Sequence, residues 1–133
     1  KKQIEKSNLG ENIILYGETR FPQYLINSFD INVISSLSES SPLVLLETMA
    51  SGIPSLATNV GEISLTIGES GWIVKKKSSK DLAEKLIFII NNQSNLNKKS
   101  SLARELILKK YSLDKMLKEY NLTYKLLFKG ASF

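Results

Sequence analysis

The segment Ser41–Gly52 carries a helix start signal and a helix stop signal at a workable separation, with a run rich in β-branched residues before it and a further short run after it. Ser41 can cap, Pro42 fits the first helical position where its missing N–H costs nothing, and Gly52 supplies the left-handed residue after the last turn. The run before it is Asp30–Ser36 and the run after it is Pro54–Thr58, both of strand length. Strand, helix, strand at this spacing is the unit of a parallel sheet.

The same alternation extends in both directions. Asn12–Tyr16, closed by Gly17, reads as an earlier strand, and Pro22–Phe29 places Leu25, Ile26 and Phe29 at helical spacing as a short crossover helix. Gly71–Lys75 reads as a last strand after a segment punctuated by Gly61 and Gly68. Helices follow. Leu82, Ala83, Leu86, Ile87 and Ile90 form an apolar stripe behind the Ser78/Ser79 cap signal, and Leu102, Leu106 and Lys109 continue in the same style. A final helix from Leu113 is expected to bury Leu113, Met116, Leu117, Tyr120, Tyr124 and Leu127. The pattern predicts an α/β fold with a doubly wound parallel sheet covered on both faces. With 133 residues and 42% apolar content, one domain covering residues 1–133 is expected. The chain opens Lys-Lys-Gln-Ile-Glu-Lys without an initiator Met, in the style of the last turn of a helix, so it reads as a piece cut from a longer protein.

Cys and His are both absent. Disulfide frameworks, Cys-based or His-based metal sites, and Ser-His-Asp or Cys-His catalysis are therefore excluded from this sequence. Carboxylates, hydroxyls, Lys, Arg and backbone dipoles remain. Eighteen Lys and Arg against thirteen Asp and Glu give a net charge of +5, which suits phosphate-bearing partners or an anionic membrane surface. Lys75-Lys76-Lys77 has no interleaved aromatic residues and reads as a solvated turn, so no nucleic-acid partner is expected. Leu86–Ile90 is too short to cross a bilayer, and a soluble, cytoplasmic protein is expected, with peripheral contact at the inner face of the membrane compatible with the charge.

In an open parallel sheet, ligands bind beyond the carboxyl ends of the strands. Beyond Ser36 the sequence reads Ser38-Glu39-Ser40-Ser41-Pro42, a polar loop entering a helix N-terminus. Unpaired N–H groups and the positive end of the helix dipole make such a place suited to an anion. Glu39 precedes the helix and Glu47 lies within it, roughly 7.5 Å along its axis. A phosphate between them would have one carboxylate beside each flanking polyol, each able to accept from neighbouring hydroxyls. Taken alone, the two glutamates would read as solvated charges. The loop after Ser36 offers one carboxylate, too few for a divalent cation, so no metal is expected.

The stretch Glu39–Glu62, with seven residues between Glu39 and Glu47, then Gly52-Ile53-Pro54 and Val60-Gly61, resembles the motif of retaining GT-B glycosyltransferases of the family 4 type. The Gly71–Val74 strand and the closing helices follow in the same order, so the likeness extends over about residues 12–127. The resemblance implies the C-terminal, Rossmann-like half of a GT-B fold, truncated at its N-terminus, with the acceptor-binding N-terminal domain outside the chain. It implies transfer of a sugar from a UDP-, GDP- or ADP-sugar donor with retention at the anomeric carbon, without metal or other cofactor. The acceptor, a glycan, lipid or small molecule, would be met through the other domain. Glu39 would contact hydroxyls of the donor sugar as the catalytic-site carboxylate, and Glu47 the ribose. Ser40, Ser41, Pro42, Leu43 and Val44 would line the donor, with the N–H groups near Leu43 and Val44 at the diphosphate, and Gly17, Glu18 and Thr19 would border the base. Where the family has Gly and an aromatic residue, this chain has Ser40 and Ser41, which bears on donor choice.

A sugar-nucleotide-binding module without catalysis and a GT-B nucleotide-sugar epimerase are the alternative functions; the absence of His counts against the second. Gly52 and Pro54 read as structural punctuation, Trp72 as packing, and Gly61 as either a tight turn or a close approach to the donor. The family's strand order of 3-2-1-4-5-6 would make Asn12–Tyr16 strand 3 and the later three runs strands 4, 5 and 6, leaving edges unpaired. Self-association or only marginal stability of the chain, and no sugar transfer by it alone, are the expectations. Leu126, Leu127, Phe128 and Phe133 are expected to lack cover.

Overall fold

A computed structural model describes residues 2–128; Phe133 lies outside the described residues. The elements run α1 (Lys2–Lys6), α2 (Pro22–Ile26), β1 (Asn32–Ile34), α3 (Leu43–Ala50), β2 (Ser55–Thr58), α4 (Ile63–Ile67), a 3-10 turn (Gly68–Ser70), β3 (Trp72–Val74), α5 (Ser79–Ile90), α6 (Gln93–Lys110) and α7 (Leu113–Leu127). The three strands form one parallel sheet in the order β1-β2-β3. Asn32 pairs with Ser55 and Ile34 with Ala57, while Leu56 pairs with Trp72 and Thr58 with Val74.

The central strand shows why the sheet needs helices on both faces. Every residue of β2 is buried. Successive side chains point to opposite faces, so Ala57 joins a cluster with Ile34, Leu45, Met49, Ile63, Ile67, Ala103 and Ile107, and Leu56 joins another with Trp72, Val74 and Ile89. The first cluster is closed by α3, α4 and α6, the second by α5. This is the two-sided cover predicted from the sequence.

Polar groups fix α3 against the sheet. The buried Thr48 hydroxyl donates to the Val44 carbonyl at 2.8 Å, and Asn32 Nδ2 donates to Thr48 Oγ1 at 3.2 Å and to Ser55 Oγ at 3.1 Å. At the other end of the helix, Ser100 Oγ donates to the Gly52 carbonyl and Arg104 Nη1 to that of Ala50 at 2.9 Å. The last carbonyl of α3, that of Ala50, and the Gly52 carbonyl just beyond the helix therefore find partners on α6. Gly52 has φ +76°, the left-handed conformation expected of it. Lys99, also on α6, lies 5.1 Å from the Trp72 ring centroid and donates to the Glu69 carbonyl at 2.6 Å. Burial lowers its pKa from the usual lysine value, with Glu69 acting in the opposite direction. Trp72 is core, as expected.

Several expectations are corrected. Asn12–Tyr16 is not a strand: residues 13–16 run without regular structure, and Ile14 is 83% exposed. A strand needs a ladder partner for its N–H and C=O groups, and among the described residues none is offered to this run. Ser41 does not cap α3; Pro42 is its N-cap residue and no side chain accepts from its first turn. The segment between Gly61 and Gly68 contains the short helix α4. On α5 Leu82 and Leu86 face inward as expected and are half-buried, but the buried residue is Ile89, whereas Ala83, Ile87 and Ile90 are exposed. On α6, Ala103 and Ile107 are buried and Lys109 is exposed. Phe29, expected on the packed face of α2, is exposed. Helix α7 forms as predicted, capped by Ser112 accepting from Lys115 N–H, but none of its described residues is buried. Leu113, Met116, Leu117, Tyr120, Tyr124 and Leu127 are exposed because no element among the described residues packs on that face. Among the described residues, no helix is long and apolar enough to cross a membrane.

Candidate functional site

The carboxyl end of β1 leads into the loop that contains Glu39, and four residues hold that loop. Thr58, the last residue of β2 and nearly fully buried, donates from Oγ1 to the Ser36 carbonyl at 2.6 Å. Ser36 in turn donates from Oγ to Glu39 Oε1 at 2.7 Å. On the far side, Glu62 N–H donates to the Ser40 carbonyl at 3.1 Å. Gly61, at φ +51°, lies so close to the Glu39–Ser40 peptide that a Cβ there would strike the carbonyl oxygens of both residues. Of the two readings left open for Gly61, close approach is realised toward the chain's own backbone. The Glu39 side chain is half-buried and Ser40 exposed.

Helix α3 then begins at Leu43. The first-turn N–H groups of a helix have no intrahelical partner, and here no side chain caps them. Leu43 and Val44 are exposed, so this end of the helix, with the positive pole of its dipole, is open to an anion. Glu47 sits one turn further on, exposed, while its neighbours Leu45, Thr48 and Met49 are buried. The burial of one face turns Glu47 to the other.

Glu39, Ser40, Ser41, Pro42, Leu43, Val44 and Glu47 are thus consecutive parts of one loop and helix at the carboxyl end of the sheet. Among the described residues, no hydrogen bond or ion pair links Glu39 to Glu47. Gly17, Glu18 and Thr19 lie in a separate irregular segment before α2: Gly17 has φ +79°, and Thr19 Oγ1 accepts from Phe21 N–H at 3.2 Å. Helix α2 packs on α3, but no hydrogen bond joins residues 17–19 to the Glu39 loop among the described residues. Ser36, Thr58 and Glu62 were not singled out in the sequence. The only available signal was Ser36 standing three residues before Glu39 at the end of a strand.

Two open cavities flank the strand ends. One, of about 450 Å³, lies between Ser35, Leu37, Thr58 and the start of α5 at Ser78. The other, also about 450 Å³, runs from Asn59 and Val74 along Lys75, Asp81 and Phe88. Among the described residues, no cluster of three or more His, Cys, Asp or Glu could hold a metal ion.

The family described as Glycosyl transferases group 1 matches residues 1–106. Over 122 residues the chain is 30% identical to the poly(ribitol-phosphate) alpha-N-acetylglucosaminyltransferase of Staphylococcus aureus (strain COL), covering 90% of this chain and 25% of that protein. Among solved structures, a mutant of S. aureus TarM in complex with fondaparinux, alpha-GlcNAc-glycerol and UDP aligns with a TM-score of 0.79 at 30% identity, over 90% of this chain and 25% of that one. The sucrose-phosphate synthase of Thermosynechococcus elongatus aligns with a TM-score of 0.88 at 22% identity, over 98% of this chain and 34% of that one, a likeness of fold. The chain thus spans about a quarter to a third of the length of these proteins.

Proposed function

The chain belongs to the group 1 glycosyl transferases, and on that premise we propose that it is the donor-binding part of a retaining, family 4-like enzyme using a nucleotide-diphosphate sugar. The observation that carries the proposal is the uncapped N-terminus of α3 with Glu39 held on one side and Glu47 exposed on the other. The diphosphate meets the N–H groups near Leu43 and Val44. Glu39 accepts hydrogen bonds from hydroxyls of the sugar, Glu47 from those of the ribose, and Gly17, Glu18 and Thr19 border the base. Ser40, Ser41 and Pro42 line the approach between them.

In the reaction, the bond from the anomeric carbon to the diphosphate oxygen breaks, the acceptor hydroxyl oxygen bonds to the same face of that carbon, and its proton passes to the departing diphosphate. Charge gathers on the leaving diphosphate, where helix N–H groups already point, so its stabilisation is electrostatic and preorganised. No metal enters this scheme. The acceptor, a glycan, lipid or small molecule, is met by an N-terminal domain, and the protein works in the cytoplasm, at or near the inner face of the membrane. Relatives support the donor class: TarM is seen with UDP. UDP-, GDP- and ADP-sugars all remain within it.

Calorimetry of the intact protein against UDP-, GDP- and ADP-glucose and the three free diphosphates tests this reading. Binding of one nucleotide family, with the sugar conjugate discriminated from the free diphosphate, is expected. An intact protein that binds none of the six overturns it.

A further inference from the structure

We propose that Ser36 is a positioning residue: its hydroxyl sets the Glu39 carboxylate in the orientation that receives the donor sugar. The inference rests on the donor-sugar role given to Glu39 above and adds a residue which that role does not include. A glutamate in a loop has three rotatable side-chain bonds, and ordering it on ligand arrival would oppose binding by the rotamer entropy lost. Glu39 is ordered beforehand, because Ser36 Oγ donates to its Oε1 at 2.7 Å in a part-buried setting.

The restraint reaches back to the sheet. Ser36 lies two residues beyond the end of β1, and its carbonyl accepts from Thr58 Oγ1 at 2.6 Å. Thr58 is nearly fully buried and paired in the ladder with Val74. A buried strand residue thus fixes the Ser36 backbone, and the Ser36 side chain fixes one carboxylate oxygen. From the opposite side, Gly61 packs against the Glu39 carbonyl and the Glu62 N–H donates to the Ser40 carbonyl next to it. Both the main chain and the side chain of Glu39 are therefore constrained, through different groups.

The chemistry of the free atoms follows. A carboxylate has about four acceptor positions on two oxygens. With one position on Oε1 taken by Ser36, Oε2 is the oxygen left whole, and it can accept from sugar hydroxyls without a change of rotamer. A site held in its bound geometry before the ligand arrives loses less on binding. Ser36 thus acts only on recognition of the sugar and has no part in binding the nucleotide.

Calorimetry on the intact protein tests this, using UDP, GDP and ADP and their glucose conjugates as probes. Ser36→Ala keeps the backbone carbonyl that Thr58 engages, and it should leave the Kd of the free diphosphate within about twofold. It should raise the Kd of the nucleotide sugar about three- to tenfold, the size of one ordinary net hydrogen bond. Ser36→Thr, which keeps the hydroxyl, should restore sugar affinity. In a Glu39→Ala background, Ser36→Ala should add less than about twofold, because coupled neighbours are not additive. Equal weakening for both ligand classes, or full additivity with Glu39→Ala, would overturn the proposal. Sugar preference in the unaltered protein that survives Ser36→Ala overturns the role of Ser36 alone. An unaltered protein showing no difference between diphosphate and sugar conjugate overturns the role of Glu39, and this inference with it.

Discussion

Gly61 packs against the Glu39 carbonyl so tightly that no side chain could stand between them, and it does so with a positive φ of +51°. Gly61→Ala must therefore push the Glu39–Ser40 peptide away and hold a left-handed backbone. We expect a loss of about 1 to 3 kcal/mol in folding stability by urea denaturation, together with weakened nucleotide-sugar binding. Gly10→Ala, where a Cβ meets nothing within 4 Å, is the control and should change neither. A Gly61→Ala protein with unaltered stability would show the approach to be unimportant.

The two glutamates should separate by ligand. Glu47→Gln is expected to weaken binding of free nucleoside diphosphate by about 1 to 3 kcal/mol, the loss of a charge-assisted hydrogen bond to ribose. Glu39→Gln should spare the free diphosphate and impair binding or transfer of the sugar. Calorimetry that finds the two variants alike toward both ligands would contradict the assignment.

Donor binding should survive chelation. Activity of the intact enzyme is expected to be the same with and without EDTA, since the scheme relies on helix N–H groups at the diphosphate. Activity lost in EDTA and regained with magnesium or manganese would count against it.

The exposed apolar surface leads to a further expectation. Residues 13–16, the outer edge of β1 and one side of α7 are uncovered among the described residues, and such surfaces recruit partners. The chain by itself should sediment as species heavier than a monomer and dissociate on dilution, with Leu117→Glu and Tyr124→Glu reducing the association. A stable monomer of the unaltered chain would refute this. Purified alone, the chain should also transfer no sugar, which a radiolabelled-donor assay would check.

Lys99 gives a pH dependence of known sign. Its folded pKa lies below the usual 10.5, so in the window just below that value the unfolded chain binds more protons and stability rises with pH. Comparing urea midpoints of the unaltered protein and Lys99→Met between neutral pH and about pH 10 should show this rise only with the lysine present. Parallel profiles would remove Lys99 from the account.

The parts of the fold that could be read from the sequence are those with local causes. The ends of α3 follow from Pro42 and Gly52, β1 and β3 from short runs with Val and Ile, and β2 from the Gly-x-Pro before it. What failed depended on distant partners. Asn12–Tyr16 has strand composition, but composition does not supply a neighbour. The α5 stripe is right at Leu82 and Leu86 and misses Ile89, because Ile87, Ile89 and Ile90 are equally apolar and only the sheet selects Ile89. Helix α7 shows the right periodicity for burial without the surface to bury it. At the site, Glu39 and Glu47 stood out by spacing, whereas Ser36 was one of five serines between positions 35 and 41, and only the fold shows which of them reaches the carboxylate.

Helix α3 is fastened like a cantilever. Its C-terminal end is clamped by Arg104 at Ala50 and by Ser100 at Gly52 just beyond, and its middle by Asn32 and Thr48, while its first turn has no side-chain cap. A beam fixed in this way keeps its direction although its tip stands unsupported. An anion arriving at that tip would meet N–H groups already aimed by the anchored turns behind them.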